Sequence, residues 1–582
     1  MSATTTAGHL LVRCLVEQGV DVAFGVPGES FLDVLDGFHA HRDRIRFVAC
    51  RQEGGAAFMA EAQGKLTGRP GVCIVTRGPG ATNAAIGVHT AFQDSTPMVL
   101  LVGDVGGDVR DREAFQEIDF AVMFGPSCKG MAKRVERVDD ADRIPEYVQR
   151  AFATAMNGRP GPVVLVVPED VLIRLTRSAP GARVEPVKTA IGRDDVLAVA
   201  ALLRASERPL VIAGGGWSPA GAAALQRFAE AWNLPVGNAF RFQDAFDNHH
   251  PLYAGDIGIG VNPKLARRVR DSDLVVAIGA RLGEMTTSGY TLLEAPRPRQ
   301  KLVHVHPGAD ELNRVYRADL AINACGDAAA EALAALVPDG PLCWAAWSDA
   351  ANADYRDHTA AALHGATAAG VRAGATEPID MPTVIGIVQR LLPPDAVITN
   401  GAGNFASWIH RYFRFHGIAR GWKTQLAPTA GAMGYGVPAG IAANLLTGRV
   451  AFTIAGDGDF LMNGQELATA ARYGARSIIL VLDNGMYGTI RMHQERNYPG
   501  HVSGTELSNP DFCALARAYG YAAERVERTA DFERVLADAL ARDRGTLIVI
   551  ALSPQIITTA ATLDEIRQEG IRKRTGSTAQ RP

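Results

Sequence analysis

Cysteine pairs, long apolar runs and an excess of charge are all missing from this chain. Its seven cysteines, Cys14, Cys50, Cys73, Cys128, Cys325, Cys343 and Cys513, contain no C-x-x-C pair, so neither a zinc site nor a redox dithiol is indicated. An odd, scattered set suits a reducing cytoplasm rather than a disulfide framework, and a cytoplasmic protein is expected. The apolar runs Met98–Val102 and Val163–Val167 fall far short of the roughly 20 residues of a membrane helix. Met1–Gly19 has no basic cluster ahead of an apolar block, so no signal-peptide layout is present. Lys plus Arg number 59 against 62 Asp plus Glu, a formal net charge of −3; nothing in that balance favours nucleic acid or an anionic membrane as a partner.

What is present is an ordinary globular composition, 47% hydrophobic and 21% charged. A chain of 582 residues is too long for one core and predicts three or four domains. Short apolar runs alternate with helical patterns. Asp21–Val26, Arg46–Cys50, Val72–Thr76, Met98–Gly103 and Val163–Val167 read as strands, and Phe31, Val34, Leu35 and Phe38 share a helix face. The polar stretch Ser178–Asp195 reads as a linker. A second block carries strands near Leu210–Ala213, Leu274–Ile278 and Leu302–His306. Residues Ala345–Pro378 read as a connector. A third block carries strands near Ala396–Thr399, Val450–Ile454, Ser477–Leu482 and Thr546–Ala551, and the polar tail Arg567–Pro582 is expected to fray. Strand–helix alternation predicts an α/β protein of three consecutive doubly wound parallel-sheet domains. We place them at 1–177, 190–338 and 378–555.

The sharpest local signal is Gly456-Asp457-Gly458-Asp459 after the strand Ala451–Ile454, with a helix expected from Asn463. The next strand ends at Asp483-Asn484-Gly485-Met486-Tyr487-Gly488, which puts Asn484 27 positions after Asp457. Ligands bind at such strand ends in α/β sheets. Asp457, Asn484 and the Met486 carbonyl offer the oxygen ligands that Mg²⁺ prefers, and Gly456 and Gly458 let backbone N–H groups approach a phosphate. A lone G-D-G is most often only a tight turn; the partner at this distance carries the reading.

G-D-G followed at this distance by an N-N-like pair resembles the thiamine diphosphate motif, with Asp483 at the less critical position of the pair. Arg51-Gln52-Glu53-Gly54-Gly55-Ala56-Ala57, Gly78-Pro79-Gly80-Ala81-Thr82-Asn83, Ala114-Phe115-Gln116-Glu117, Gly158-Arg159-Pro160-Gly161-Pro162, Gly431-Ala432-Met433-Gly434-Tyr435-Gly436 and Asn509-Pro510-Asp511-Phe512 resemble, in this order, the acetolactate synthase branch of that family. The resemblance implies pyrimidine-binding, central and diphosphate-binding domains. It also implies a homodimer or homotetramer whose Glu53 reaches the cofactor held by the Asp457/Asn484 domain of the other subunit. It places Pro27, Glu53, Asn83, Gly403, Asn404, Phe405, Gly431, Met433, Gly456, Asp457, Gly458, Asp459, Asn484, Met486, Tyr487 and Gly488 at thiamine diphosphate, and Asp457, Asn484 and Met486 at Mg²⁺. It implies Glu53, Gln116, Glu29 and His493 as catalytic residues and admits FAD in the central domain. Alone, Glu53 is a helix first-turn acid. In the family it hydrogen-bonds the aminopyrimidine ring and promotes loss of the thiazolium proton, so that a 2-oxo acid loses carbon dioxide into the cofactor's electron sink.

Departures narrow the reading. Met285 and His493 stand where the typical synthase has Arg and Trp, and Met does not replace a bidentate arginine. His493 is either an ordinary loop histidine or a polar element of the acceptor pocket. Glu29 and Arg77 also depart. Glu29 serves either proton transfer or the helix N-terminus; Arg77 either recognises an anion or pairs with an acid. Phe115, Gln116 and Lys129 keep the synthase pattern. Gly214-Gly215-Gly216 is half of a dinucleotide fingerprint, with Arg241 and Arg281 as candidates for a pyrophosphate. His304, His306, His249 and His250 read as ordinary histidines. Two alternatives stay open beside a decarboxylase or carboligase: a lyase or hydrolase acting on a hydroxy ketone or dione, and a non-catalytic cofactor-binding homologue.

Overall fold

The computed structural model describes residues 4–360 and 379–578. Part of the connector read at 345–378 is the helix Ala345–Thr359, and its residues 361–378 lie outside the described residues. The chain builds three six-stranded parallel sheets flanked by helices. The first orders its strands Arg46–Ala49, Val22–Gly25, Gly71–Val75, Met98–Asp104, Pro162–Pro168, Arg134–Arg137. In chain order that is 2-1-3-4-6-5. The third sheet, from Gln425–Leu426 through Val397–Asn400, Ala451–Gly456, Ile478–Asp483 and Thr546–Ala551 to Ala522–Val526, repeats this order. The central sheet runs 3-2-1-4-5-6, with Pro209–Ala213 and Leu274–Ile278 adjacent at its middle.

The continuous apolar strands are explained by burial on both faces. Phe24, Cys73, Val75, Leu100, Val102, Val164 and Val166 pack into one core. Their alternating neighbours Ala23, Val72, Ile74, Val99, Leu101, Val163 and Leu165 pack into another, as the two-residue period of a strand requires. The third sheet divides in the same way, with Val397, Ala451, Ala455, Ile479, Val481, Leu547 and Val549 facing the first of these cores and Ile398, Phe452, Ile454, Leu480 and Ile548 facing away. The first and third domains therefore share a core, into which helices Glu53–Thr67 and Gly436–Thr447 are packed together. Each large aliphatic side chain buried there contributes roughly 1.5–3 kcal/mol, so the two domains do not behave as beads on a string.

The tail differs from expectation. Leu563–Thr578 is a helix, and Arg567 grips the buried Glu495 through Nη2 (2.8 Å) and Nε (2.9 Å). Leu563 and Ile566 join Met486, Met492 and Ile557 in a small apolar cluster. The tail's polar composition hid these few apolar anchors. Among the described residues, no helix is long and apolar enough to cross a membrane.

Candidate active site

Strands 1 and 3 of the third sheet, Val397–Asn400 and Ala451–Gly456, are neighbours whose following connections leave in opposite directions along the sheet. A crevice forms beyond the carboxyl ends at such a switch point. Here it is a cleft of about 250 Å³. Gly403, Asn404 and Phe405 line it from the first strand end, and Gly456, Asp457, Gly458 and Asp459 from the third. Asn484, Met486, Tyr487 and Gly488 line it from the fourth, and Gly431 and Met433 from the loop after Gln425–Leu426. The structure thus brings together every third-domain residue assigned above to the cofactor.

The helix after the G-D-G begins at Asp457, not at Asn463: Asp457–Asn463 is helical, with extended Gly456 as its N-cap. Asp457 and Asp459 sit in its first turn, where the helix dipole favours acids. The glycines are required by shape. A Cβ on Gly456 would lie 2.8 Å from the Phe405 ring, and one on Gly458 would lie 2.6 Å from the Tyr487 ring.

Asp457 is buried, and its carboxylate accepts from Gly458 N, Gly485 N and Asn509 Nδ2, each at 2.8 Å. Burial pushes its carboxyl above the usual range, and the neighbouring Asp483 adds to the effect. Its hydrogen-bond donors are all neutral, so a cation in the cleft would relieve that penalty. Asn509 also donates to Asp483 (2.9 Å), and Arg525 lies 3.4 Å from the same side chain. The Asp at this departure from the family pair is therefore compensated. Asp459 spends Oδ1 on Ala402 N (3.1 Å) and Gly434 N (3.0 Å), while Oδ2 has no protein partner. Burial pushes it up to about 7.

The remaining predicted residues except His493 lie on the first domain, around the corresponding switch point of its sheet. Glu53 opens the helix Glu53–Thr67 and accepts from Asn83 Nδ2 at 2.9 Å. Gln116 has φ +65°, and its carbonyl accepts from Gly78 N (2.9 Å). Pro27 and Glu29 are exposed. Arg77 is buried and bonds both Glu29 (3.0 Å) and Glu169 (3.1 Å), which settles its two readings in favour of pairing with acids. None of these residues lines the cleft within the one chain. His493 is an exposed residue of the helix Gly488–Asn497 and also lies outside the cleft lining, as does Met285 in the central domain.

His304 and His306 are buried and bonded to the backbone oxygens of Ala280 (2.9 Å) and Gly308 (3.2 Å). His249 gathers with Asp247 and His416, ligand atoms within 4.8 Å of one another, but Arg420 already occupies Asp247 at 2.7 Å.

Family models match along the chain in order: "Thiamine pyrophosphate enzyme, N-terminal TPP binding domain" over residues 5–123, the central domain over 196–336, and the C-terminal TPP binding domain over 401–550. The chain belongs to the thiamine pyrophosphate enzymes. Among curated relatives of this family member, the acetolactate synthase large subunit of Parasynechococcus marenigrum is 32% identical over 565 residues, 94% of this chain and 87% of the relative. That of Corynebacterium glutamicum is 32% identical over 541 residues, 90% and 83%. The isozyme 3 large subunit of Escherichia coli is 30% identical over 564 residues, 94% of each chain.

The site of this thiamine pyrophosphate enzyme also contains residues that sequence reasoning missed. Thr489 Oγ1 accepts from Asn404 N (2.8 Å) and donates to Asn404 Oδ1 (3.1 Å); it is one residue past the recognised motif. Asn509 belongs to a recognised motif, yet its grip on Asp457 needed coordinates. Trp408, Leu552, Ile556 and Ile557 furnish the apolar wall. Glu466 is fully buried and accepts from Arg51 N (3.1 Å), Gln52 N (3.0 Å) and Thr469 Oγ1 (2.5 Å). It holds the turn that leads into Glu53, and only its exclusion from solvent distinguishes it from any other helical glutamate.

Proposed function

We propose that this chain is a thiamine-diphosphate- and Mg²⁺-dependent enzyme that decarboxylates a 2-oxo acid and delivers the fragment to an acceptor carbonyl or to a proton. The observation that carries the proposal is the convergence of the 456–459 and 484–488 turns in one cleft, around a desolvated Asp457 whose hydrogen-bond donors are all neutral. Similarity to acetolactate synthase large subunits across nearly the whole chain supports the same class of chemistry. The residues fit both groups. Asp457, the Asn484 amide oxygen and the Met486 carbonyl would hold Mg²⁺ with diphosphate oxygens, Gly456 and Gly458 would admit the phosphates, and Met433 would support the bent cofactor. When bound, thiamine diphosphate supplies the nucleophilic carbon and the electron sink. Glu53, oriented by Asn83, would hold a proton at the aminopyrimidine nitrogen. The apolar wall of Trp408, Leu552 and Ile556 would exclude water from the charged steps.

We infer a cytoplasmic homo-oligomer, dimer or tetramer, in which Glu53 completes the partner's site. Support comes from the seven free cysteines and from the surface of the first domain that carries the half-buried Glu53, where Pro27, Glu29 and Asn83 are exposed and Phe115 is 71% exposed. FAD enters only as a ligand to assay, and no step depends on it. The central sheet has the dinucleotide strand order; Arg281 donates to Gln93 O (2.7 Å) and lies 3.5 Å from Glu311, while Arg281 Nε and Arg241 Nε and Nη1 have no hydrogen-bond partner.

The test offers pyruvate and larger 2-oxo acids to protein loaded with thiamine diphosphate and Mg²⁺, following carbon dioxide and products. Acetolactate from pyruvate would place the chain with the synthases despite Met285. Release from another 2-oxo acid alone would make it a divergent decarboxylase or carboligase. No release from any would overturn the proposal and direct attention to hydroxy ketones and diones.

A further inference from the structure

A charged cluster that no step above uses lies wholly inside the protein, where the first and third domains meet. Lys65 Nζ pairs with Asp94, lies 3.2 Å from Glu61 Oε1 and donates to Ala427 O at 3.0 Å. The Lys65 side chain is 8% exposed, and those of Glu61 and Asp94 are fully buried. Asp94 accepts from Thr429 N (2.7 Å) and from the Thr429 hydroxyl. Glu61 accepts from Tyr435 Oη (2.6 Å) and Thr96 Oγ1 (2.7 Å). Lys65 also lies over the Tyr435 ring, 5.0 Å from its centroid. Burial alone would lower the Lys65 pKa; Asp94 and Glu61 more than offset it, so the ammonium stays charged.

The cluster's partners are not random. Ala427, Thr429 and Tyr435 all belong to the segment between strand Gln425–Leu426 and helix Gly436–Thr447. That segment carries Gly431 and Met433 into the cleft. On its inner side Gly434 is held by Asp459 and by Asn463 Nδ2, which donates to Gly434 O at 3.0 Å. On the outer side the polar partners are those of the cluster, and the Tyr435 ring also packs edge-on against Phe58, centroids 5.3 Å apart. Buried ion pairs are a poor way to gain stability, because desolvation offsets much of their attraction, and their best-attested use is to fix one arrangement against others. Here the arrangement fixed is that of the Met433 loop against the helix whose first residue is Glu53.

We propose that Lys65, with Glu61 and Asp94, is a positioning residue that clamps the 427–435 loop so that Met433 meets the cofactor in one fixed place. The proposal rests on the thiamine diphosphate reading of the cleft. It predicts that breaking the clamp loosens cofactor binding without touching any residue that lines the site.

The experiment measures thiamine diphosphate dissociation in the presence of Mg²⁺, by quenching of intrinsic fluorescence, on the full-length wild type, Lys65→Met and Tyr435→Phe. Tm is recorded with and without cofactor. Tyr435→Phe removes one hydroxyl and keeps the ring, so it serves should Lys65→Met fail to fold. The expected result is a dissociation constant raised at least about tenfold in Lys65→Met and about threefold in Tyr435→Phe. The cofactor-induced rise in Tm should shrink in step, while the cofactor-free Tm of Tyr435→Phe stays within a few degrees of wild type. Wild-type affinity in Tyr435→Phe, or in a folded Lys65→Met, overturns the clamp and leaves the functional reading standing. Failure of the wild type to bind thiamine diphosphate overturns both.

Discussion

Glu466 offers a sharp test of how the fold aims Glu53. Replacing it by Ala leaves the Arg51 and Gln52 N–H groups and the Thr469 hydroxyl without their acceptor. An orphaned buried donor costs about 1–3 kcal/mol, so the two amides alone amount to roughly 2–6 kcal/mol. Part is recovered, because burial holds the Glu466 carboxyl above its usual range and deleting a desolvated charge is favourable. About 3 kcal/mol remains, enough for the Arg51–Gln52 turn to move and recover water. Glu53 is the next residue, and a misplacement of about 1 Å at a catalytic group can cost on the order of 10²-fold.

The expected outcome is kcat lowered roughly 10–100-fold, with thiamine diphosphate affinity near wild type because Glu466 touches no cleft residue. Glu466→Gln, which keeps one acceptor, should fall between. The assay is steady-state carbon dioxide release at saturating cofactor, beside direct cofactor titration. Glu466→Ala turning over at the wild-type rate would refute the reasoning, whatever its stability.

Asp457→Asn should raise the Mg²⁺ concentration needed for half-maximal activity by at least about tenfold, and chelation of the wild type should abolish turnover reversibly; both are read by Mg²⁺ titration. Arg567→Ala should free the helix Leu563–Thr578, seen as faster proteolysis or amide exchange there. Acid should do the same: the grip of Arg567 holds Glu495 down at about 2, below the ordinary glutamate value of about 4.3. The stabilisation is therefore complete above that ordinary value and is lost as pH falls through about 2.

The cleft was largely legible because its signals are local. Apolar strands end at glycine-rich turns, and the turn residues themselves line the cleft. Strands buried on both faces were also legible. Most of those missed, Arg134–Arg137, Gln425–Leu426, Tyr253–Ile257, Leu320–Ile322 and Ala522–Val526, lie at sheet edges; Arg134–Arg137, Leu320–Ile322 and Ala522–Val526 are partly exposed there, so their apolar patterning weakens, whereas Gln425–Leu426 is only two residues long and Tyr253–Ile257 carries Gly255 and Asp256. Val236–Ala239 is interior but was hidden by its Gly237 and Asn238, both poor strand formers. Glu466 and the Lys65 cluster were illegible for another reason. Beside near partners, their roles are set by ones 374 to 415 positions away, and a buried charge looks like a solvated one until its surroundings are known.

The same long-range order bears on the proposed sharing of the active site between two copies. The first and third sheets share one strand order without any visible sequence repeat, so each offers a switch-point crevice. The third holds the cleft. The first holds Glu53, with Pro27, Glu29 and Asn83 exposed around it and Ile86 43% exposed beside them. Within one chain Glu53 does not line the cleft, and on the homo-oligomer proposed above a site needing both would be built from two copies, related by the two-fold symmetry usual for homodimers. Glu53→Gln and Asp457→Asn should each lose most turnover alone, since each spoils both sites of a homodimer. In a mixed dimer the defects fall together in one site and leave the other intact. Random reassembly makes half the dimers mixed, with one good site of two, so about a quarter of wild-type activity should return. Co-purification of differently tagged variants measures the mixed fraction. Mixed dimers that stay inactive would mean that Glu53 serves the cleft of its own chain.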